Sequence, residues 1–210
     1  MSCKIQRIIE TLRKLYPNVQ TALAFSDPFE LLVATILSAQ TTDIQVNKVT
    51  PELFANYPDA QSLSLAEAAD LEVLIKSIGL YKTKAKHLIQ MARILVEKYN
   101  GQIPACRESL IELPGVGRKT ANVVVSSAFD IPAIAVDTHV FRVSKRLGLS
   151  SGKDVLAVEK ELMSVFARKD WNQAHHWLIW HGRLICKAKH PDCLKCQLRQ
   201  DCDYHKLQKS

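Results

Sequence analysis

Four cysteines, Cys186, Cys193, Cys196 and Cys202, fall within the last 25 of the chain's 210 residues. Their spacing is C-x6-C-x2-C-x5-C. Four thiolates in such a run can hold a zinc ion or an iron–sulphur cluster. Structural zinc usually draws on two close Cys pairs. Only one is present here, Cys193 and Cys196, flanked by wider gaps. That suits the larger [4Fe–4S] cube better, although spacing alone leaves both metals open. The first loop of the run carries Lys187 and Lys189. A cluster that fixes this loop would turn the two cations towards a phosphate, whereas Asp192 puts an opposing charge in the same loop. The alternative is a tail kept soluble by its lysines. Cys3 and Cys106 lie outside the run, and the expectation for them is two buried free thiols.

A second stretch with chemical content is Leu113-Pro114-Gly115-Val116-Gly117-Arg118-Lys119-Thr120-Ala121. Two glycines bracket one apolar residue and a helix follows. Glycine accepts positive φ and lets a phosphate come close to the backbone. The first N–H groups of the following helix have no helical acceptor and sit at its positive end, which suits an anion. Val116 is expected to point inward and lock the two helices together. An ordinary helix–turn–helix corner would also contain Pro-Gly. The whole string, however, resembles a helix-hairpin-helix, a clamp for the DNA backbone that does not read sequence. Gly115, Val116, Gly117, Arg118 and Thr120 are its candidate DNA-binding residues.

The charge balance agrees with a polyanionic partner. Lys plus Arg number 28 against 21 acids, a net +7. Between Lys76 and Arg93 there are five basic residues and no acid: Lys76, Lys82, Lys84, Lys86 and Arg93. They are either a solvated helix face or phosphate contacts, each adding about 0.9 to the log–log salt slope of duplex binding. No apolar run approaches the ~18–20 residues that span a bilayer. The start of the chain leads into no apolar signal segment, so the expected compartment is the reducing cytosol and no membrane is expected as a partner.

The elements that must carry these residues are helical. Ile5, Ile8, Ile9, Leu12 and Leu15 form one apolar stripe, ended by Pro17. Asp27-Pro28 opens a second helix, and Phe29 to Ala39 is apolar nearly all round, predicting a buried central helix. Pro51 lies inside or breaks the next one. Further helices are predicted from about Leu65 to Ile78, Lys82 to Tyr99 and Val155 to Ala167, with Gly79 and Gly101 as C-terminal caps. Two segments dissent: Val123–Val125 and Ile131–Val136 are β-branched and read as strands by propensity. His175, His176 and His181 are not spaced to make a metal face, and core packing with Trp177 and Trp180 is the expectation.

Taken together, LSAQTTD at Leu37–Asp43, IGLYKTKA at Ile78–Ala85, LPGVGRKTAN at Leu113–Asn122, VDTHVFR at Val136–Arg142, HHWLIWHGR at His175–Arg183 and the cysteine run resemble the endonuclease III family of DNA glycosylases over essentially the whole chain. The resemblance implies an all-α, two-lobed fold. A six-helix lobe at 21–131 carries the hairpin at about 108–127. Residues 1–20 and 132–210 form the lobe of the C-terminal [4Fe–4S] loop, and damaged double-stranded DNA lies across the cleft between the two. Both strand-like segments become helix and connection.

The resemblance places the nucleophile at Lys119 and the essential carboxylate at Asp137. The amine would attack C1′ of a flipped nucleotide, expel the base and leave a Schiff base. β-Elimination would then cut the strand on the 3′ side. Asp137 would stabilise cationic sugar character. Attack needs a neutral amine, so the helix end and burial under the nucleotide are expected to hold the Lys119 pKa well below its ordinary ~10.4. From the residues alone, Lys119 reads as a phosphate contact and Asp137 as a helix cap. Gln40 matches the residue that fills the space left by the flipped nucleotide, and Leu80 a wedge that parts the neighbouring bases. Their unremarkable alternatives are a helix-end Gln and a packing Leu. His139 joins the DNA contacts and Asp43 is a further pocket candidate. The implied substrates are oxidised or ring-saturated pyrimidines, acted on by a monomer. Two rivals remain: an adenine-type monofunctional glycosylase, which usually lacks the hairpin lysine, and a non-catalytic iron–sulphur DNA-binding module.

Overall fold

A computed structural model describes residues 3–208. Among them every regular element is helical, and the chain divides into two compact units, Thr21–Ile131 and residues 1–20 with 132–210. Each is built around its own apolar interior.

The unit 21–131 is organised on α2 (Pro28–Leu37), whose Leu31, Leu32, Val33, Ala34 and Leu37 are all fully buried. Asp27 caps its start, accepting a hydrogen bond from the Glu30 N–H at 2.9 Å with Pro28 at the first helical position, where proline loses nothing. Around α2 stand α3 (Asp43–Asn56), α4 (Ala60–Ser64), α5 (Ala68–Leu74), α6 (Tyr81–Tyr99), α7 (Arg107–Ile111) and α8 (Arg118–Ala128). That makes seven helices where the resemblance implied six; α4 and α7 are single turns of five residues. Pro51 sits inside α3 without ending it. The predicted helix from Leu65 to Ile78 shrinks to α5, because the chain on either side runs through turns. Val123–Val125 lie in α8, where Val124 is fully buried. Tertiary burial overrides β-propensity there.

In the second unit, α1 (Cys3–Leu15) buries Ile8, Ile9 and Leu12 as the stripe predicted. It packs on α11 (Trp171–Leu184), which also packs on α9 (Thr138–Leu147); α9 in turn meets α10 (Val155–Val165) and α12 (Asp203–Leu207). Val140, Val143, Val158, Leu162, Trp177 and Leu178 fill the centre. Ile131–Val136, which runs from the end of the first unit into this one, carries no helix or strand, with Ile134, Ala135 and Val136 buried.

Two cysteine expectations fail. Cys3 and Cys106 are both exposed. Cys3 precedes the apolar stripe of α1, beside the Arg7 guanidinium at 3.0 Å. Cys106 is the residue before α7, its Sγ 3.2 Å from Glu108 Oε2. Neither lies on an inward face.

Candidate nucleic-acid interface and cysteine site

The turn between α7 and α8 is built as its glycines suggest. The Val116 N–H closes it on the Leu113 carbonyl at 3.0 Å, and Gly115 takes φ +81°. A Cβ at Gly115 would stand 3.2 Å from His87 Cβ and 3.4 Å from Ile36 Cγ2, so the turn is seated against α6 and α2. Val116 is buried. Its side chain belongs to the interior, which leaves only backbone to offer a phosphate. Gly115 and Gly117 are exposed, and Arg118, Lys119 and Thr120 are half-buried in the first turn of α8. Gly117 caps α8 without a side-chain acceptor, and Ala121 is the first residue whose N–H turns back into the helix, to the Gly117 carbonyl. The N–H groups before it point out of the helix start.

The basic run divides. Lys76, Lys82 and Lys86 are exposed. Lys84 is 5% exposed, and its ammonium donates to the carbonyls of Leu37 (2.8 Å) and Ala39 (2.6 Å). Burial pushes its pKa down. It is therefore no phosphate contact, and the reading of five such contacts is corrected at this position. A lysine four residues from the start of an amphipathic helix looks exposed until the turn above it is known. The Arg93 Nε is likewise turned to the Ser64 carbonyl at 3.2 Å.

Gln40 and Leu80 are exposed, Leu80 by 58%, and both hold left-handed backbone, φ 56° and 59°. Such a conformation costs a non-glycine residue on the order of 1–3 kcal/mol. Gly79, expected as a helix cap, has no positive φ; its role is close approach, since a Cβ there would lie 3.3 Å from the Gln40 carbonyl. Asp43 opens α3 one residue after its cap, Thr42.

In the other unit, Asp137 caps α9: its Oδ1 accepts from the Val140 N–H at 2.8 Å, and Oδ2 accepts nothing from the described residues. His139 is half-buried, its Nδ1 3.2 Å from Arg142 Nη2. A Cβ on Gly182 would stand 3.0 Å from that same Nδ1.

The four tail cysteines line one cavity with Leu147, His181 and Tyr204. Among the described residues no three His, Cys, Asp or Glu side chains are placed to hold a single metal ion. Burial, helped by the neighbouring thiols of Cys202, Cys186 and Cys193, pushes the Cys196 thiol up to about 11. Cys202 is raised for the same reasons. His181 is buried as expected, but it also faces this cavity: Nδ1 lies 3.1 Å from the Tyr16 hydroxyl and Nε2 3.6 Å from Cys196 Sγ. Burial pushes its pKa down to about 4. His175 and His176 are core residues.

Two arginines that sequence reading did not single out as site residues hold the first loop. Arg142 donates to the Cys186 carbonyl (3.1 and 3.0 Å) and the Gly182 carbonyl (3.0 Å). Arg146, one turn on, donates to the carbonyls of Lys187 (2.7 Å) and Ala188 (3.1 Å). Their i, i+4 spacing on α9 was the available signal. Lys187 and Lys189 stand exposed on this fastened loop, and Asp192 is paired with Lys195 at 3.2 Å.

This combination of an all-helical fold, a glycine hairpin and a cysteine-lined cavity can be compared with known proteins. Residues 33–168 match the family described as HhH-GPD superfamily base excision DNA repair protein. Endonuclease III of Rickettsia conorii is 48% identical over 201 residues, which is 96% of each chain. A solved non-covalent complex of endonuclease III with DNA superposes with a TM-score of 0.94 at 47% identity, covering 100% of this chain and 99% of that one. A trapped endonuclease III–DNA covalent intermediate superposes with 0.93 at 46% identity, covering 100% of both. The chain belongs to the endonuclease III family within that superfamily. It is a base excision repair enzyme, a DNA glycosylase with abasic-site lyase activity. Among the described residues no helix is long and apolar enough to cross a membrane.

Proposed function

We propose that the chain excises oxidised or ring-saturated pyrimidines from damaged double-stranded DNA, with Lys119 as nucleophile and Asp137 as the essential carboxylate. The observation that carries this reading is Lys119 itself, in the first turn of α8 directly after the glycine hairpin. Outward N–H groups there can take the phosphates flanking a flipped nucleotide. Attack of the neutral Lys119 Nζ on C1′ forms a C–N bond as the C1′–base bond breaks, with the electron pair and a proton leaving on the base. The aminal so formed opens to an imine as the C1′–O4′ bond breaks and O4′ takes up a proton, and loss of the C2′ proton from that imine then expels the 3′ phosphate. A covalent intermediate trapped for a solved relative is in keeping with an amine nucleophile. Asp137 keeps Oδ2 for a proton or a developing cation while Oδ1 caps α9.

The DNA contacts are Gly115, Gly117, Arg118 and Thr120 at the hairpin, with Val116 contributing backbone only. Gln40 fills the vacated stack, Leu80 parts the bases, and His139, Lys187 and Lys189 take phosphates. The unit 21–131 acts as the hairpin domain, and residues 1–20 with 132–210 as the cluster domain. Cys186, Cys193, Cys196 and Cys202 would hold a [4Fe–4S] cluster. Four thiols that ring one cavity, with burial raising those of Cys196 and Cys202 until a cation compensates, suit a metal centre, and the single close pair Cys193 and Cys196 favours a cluster over zinc. Such a cluster would fix the Lys187–Lys189 loop. Reduced cysteines suit the cytosol, and one chain supplies every group named, so a monomer suffices.

Borohydride trapping on an oligonucleotide with one thymine glycol tests the reading. Wild type gives a covalent adduct; Lys119→Gln gives none while still binding duplex. No adduct from wild type would point to the monofunctional or binding-only alternatives.

A further inference from the structure

Lys84 is a buried cation that no step of the proposed reaction uses. Its side chain rises from the first turn of α6 beneath the turn that ends α2. Besides the Leu37 and Ala39 carbonyls, the ammonium lies 3.4 Å from Thr41 Oγ1. Three donors thus face three acceptors, the full complement of an ammonium. The acceptors are the carbonyl end of a helix and its following turn, where a cation is favoured. No carboxylate is needed to hold the charge there.

The same Thr41 hydroxyl accepts from the Gly79 N–H at 3.2 Å. The Gln40 loop and the Leu80 loop are therefore joined twice, through Lys84 and through Thr41–Gly79. Each loop exposes one non-glycine residue in left-handed backbone, a conformation that persists only where its surroundings impose it. The Lys84 N–H also donates to the Leu80 carbonyl at 3.0 Å, so the residue that fastens the Gln40 turn starts the helix behind Leu80.

We propose that Lys84 is a positioning residue that locks the Gln40 and Leu80 loops into one rigid piece, so that both side chains enter the base stack together. The inference rests on the reading of Gln40 and Leu80 as the stack-filling and wedge residues. Two loops already ordered spend no conformational entropy when the stack opens.

The test uses the full chain carrying Lys84→Met, which keeps the apolar stem and removes the three donors. Two quantities are read: amide hydrogen exchange across residues 38–42 and 79–81, and the fluorescence rise of 2-aminopurine placed beside an abasic-site analogue, which reports flipping. Exchange in both loops rises, and flipping falls, by at least about tenfold, since even one of the charged hydrogen bonds removed is worth that much. Exchange in α8 stays as in wild type. Adding Gln40→Ala or Leu80→Ala to Lys84→Met costs less than the product of the single effects, because all three act through one piece.

Unchanged flipping in Lys84→Met, fully multiplicative double variants, or exchange raised evenly over the whole unit would overturn the proposal. Should Lys84→Met not fold, Thr41→Val removes the Gly79 link while leaving both carbonyl bonds, and the same two readouts must move in the same direction; loops that exchange as in wild type overturn it. If Gln40→Ala and Leu80→Ala each leave flipping intact, the wedge assignment is what fails. The exchange data then still decide whether Lys84 ties the loops.

Discussion

Asp137 carries two jobs on one carboxylate, and a pair of substitutions separates them. Its Oδ1 caps α9 by accepting from the Val140 N–H at 2.8 Å. Asparagine caps a helix about as well as aspartate, whereas alanine cannot; losing such a cap costs about 1 kcal/mol. In a chain of this length that lowers Tm by roughly 2–4 °C. Proton transfer or charge stabilisation by a positioned carboxylate is worth about 10²–10⁴ in rate. Asp137→Asn is therefore expected to melt within about 1 °C of wild type and to excise thymine glycol about 10²–10⁴ times more slowly under single turnover. Asp137→Ala should show the same loss of rate and, in addition, the lower Tm. Melting is followed by circular dichroism and excision by gel after alkaline cleavage. An Asp137→Asn enzyme within threefold of wild type would refute the chemical role, and an Asp137→Ala protein with unchanged Tm would refute the cap.

Gly115→Ala places a Cβ 3.2 Å from His87 Cβ on backbone of φ +81°; we expect a loss of about 1–2 kcal/mol in stability, read by urea titration, with weaker binding to undamaged duplex in a filter assay. Glu161 accepts the Ser151 N–H at 2.7 Å, and that bond, with those from Ser150 and Gly152, holds its carboxyl below the usual carboxylate range. A depressed folded value stabilises the native state above the ordinary carboxylate pKa and ceases to do so as pH falls through the folded one. Tm of wild type should thus drop more steeply than that of Glu161→Gln below about pH 4.5, and parallel curves would exclude the linkage. Freshly purified protein is expected to be yellow-brown with iron and sulphide in equal amounts, and Cys196→Ser to be colourless; a colourless wild type containing zinc would overturn the cluster assignment.

Much of this protein is written in short-range pattern. The stripe of α1, the Asp27-Pro28 start of α2, the glycines around Val116 and the spacing of the four tail cysteines are local, and local sterics and periodicity are enough to read them. Propensity misled at Val123–Val125, because β-branched residues take helical backbone when the whole face is buried. The buried thiols expected at Cys3 and Cys106 are exposed, because residue type does not tell on which side of a helix start a cysteine falls. Lys84 is the sharpest case. Along the chain it is one of five cations without an acid; in the fold its amine is spent on carbonyls 47 and 45 residues away. Arg142 and Arg146 reach carbonyls some 40 residues on in the same way. Residue type and spacing decide which chemistry a side chain can perform. Whether its donors are left for a ligand or consumed by distant backbone is decided only when the packed chain brings those acceptors within about 3 Å.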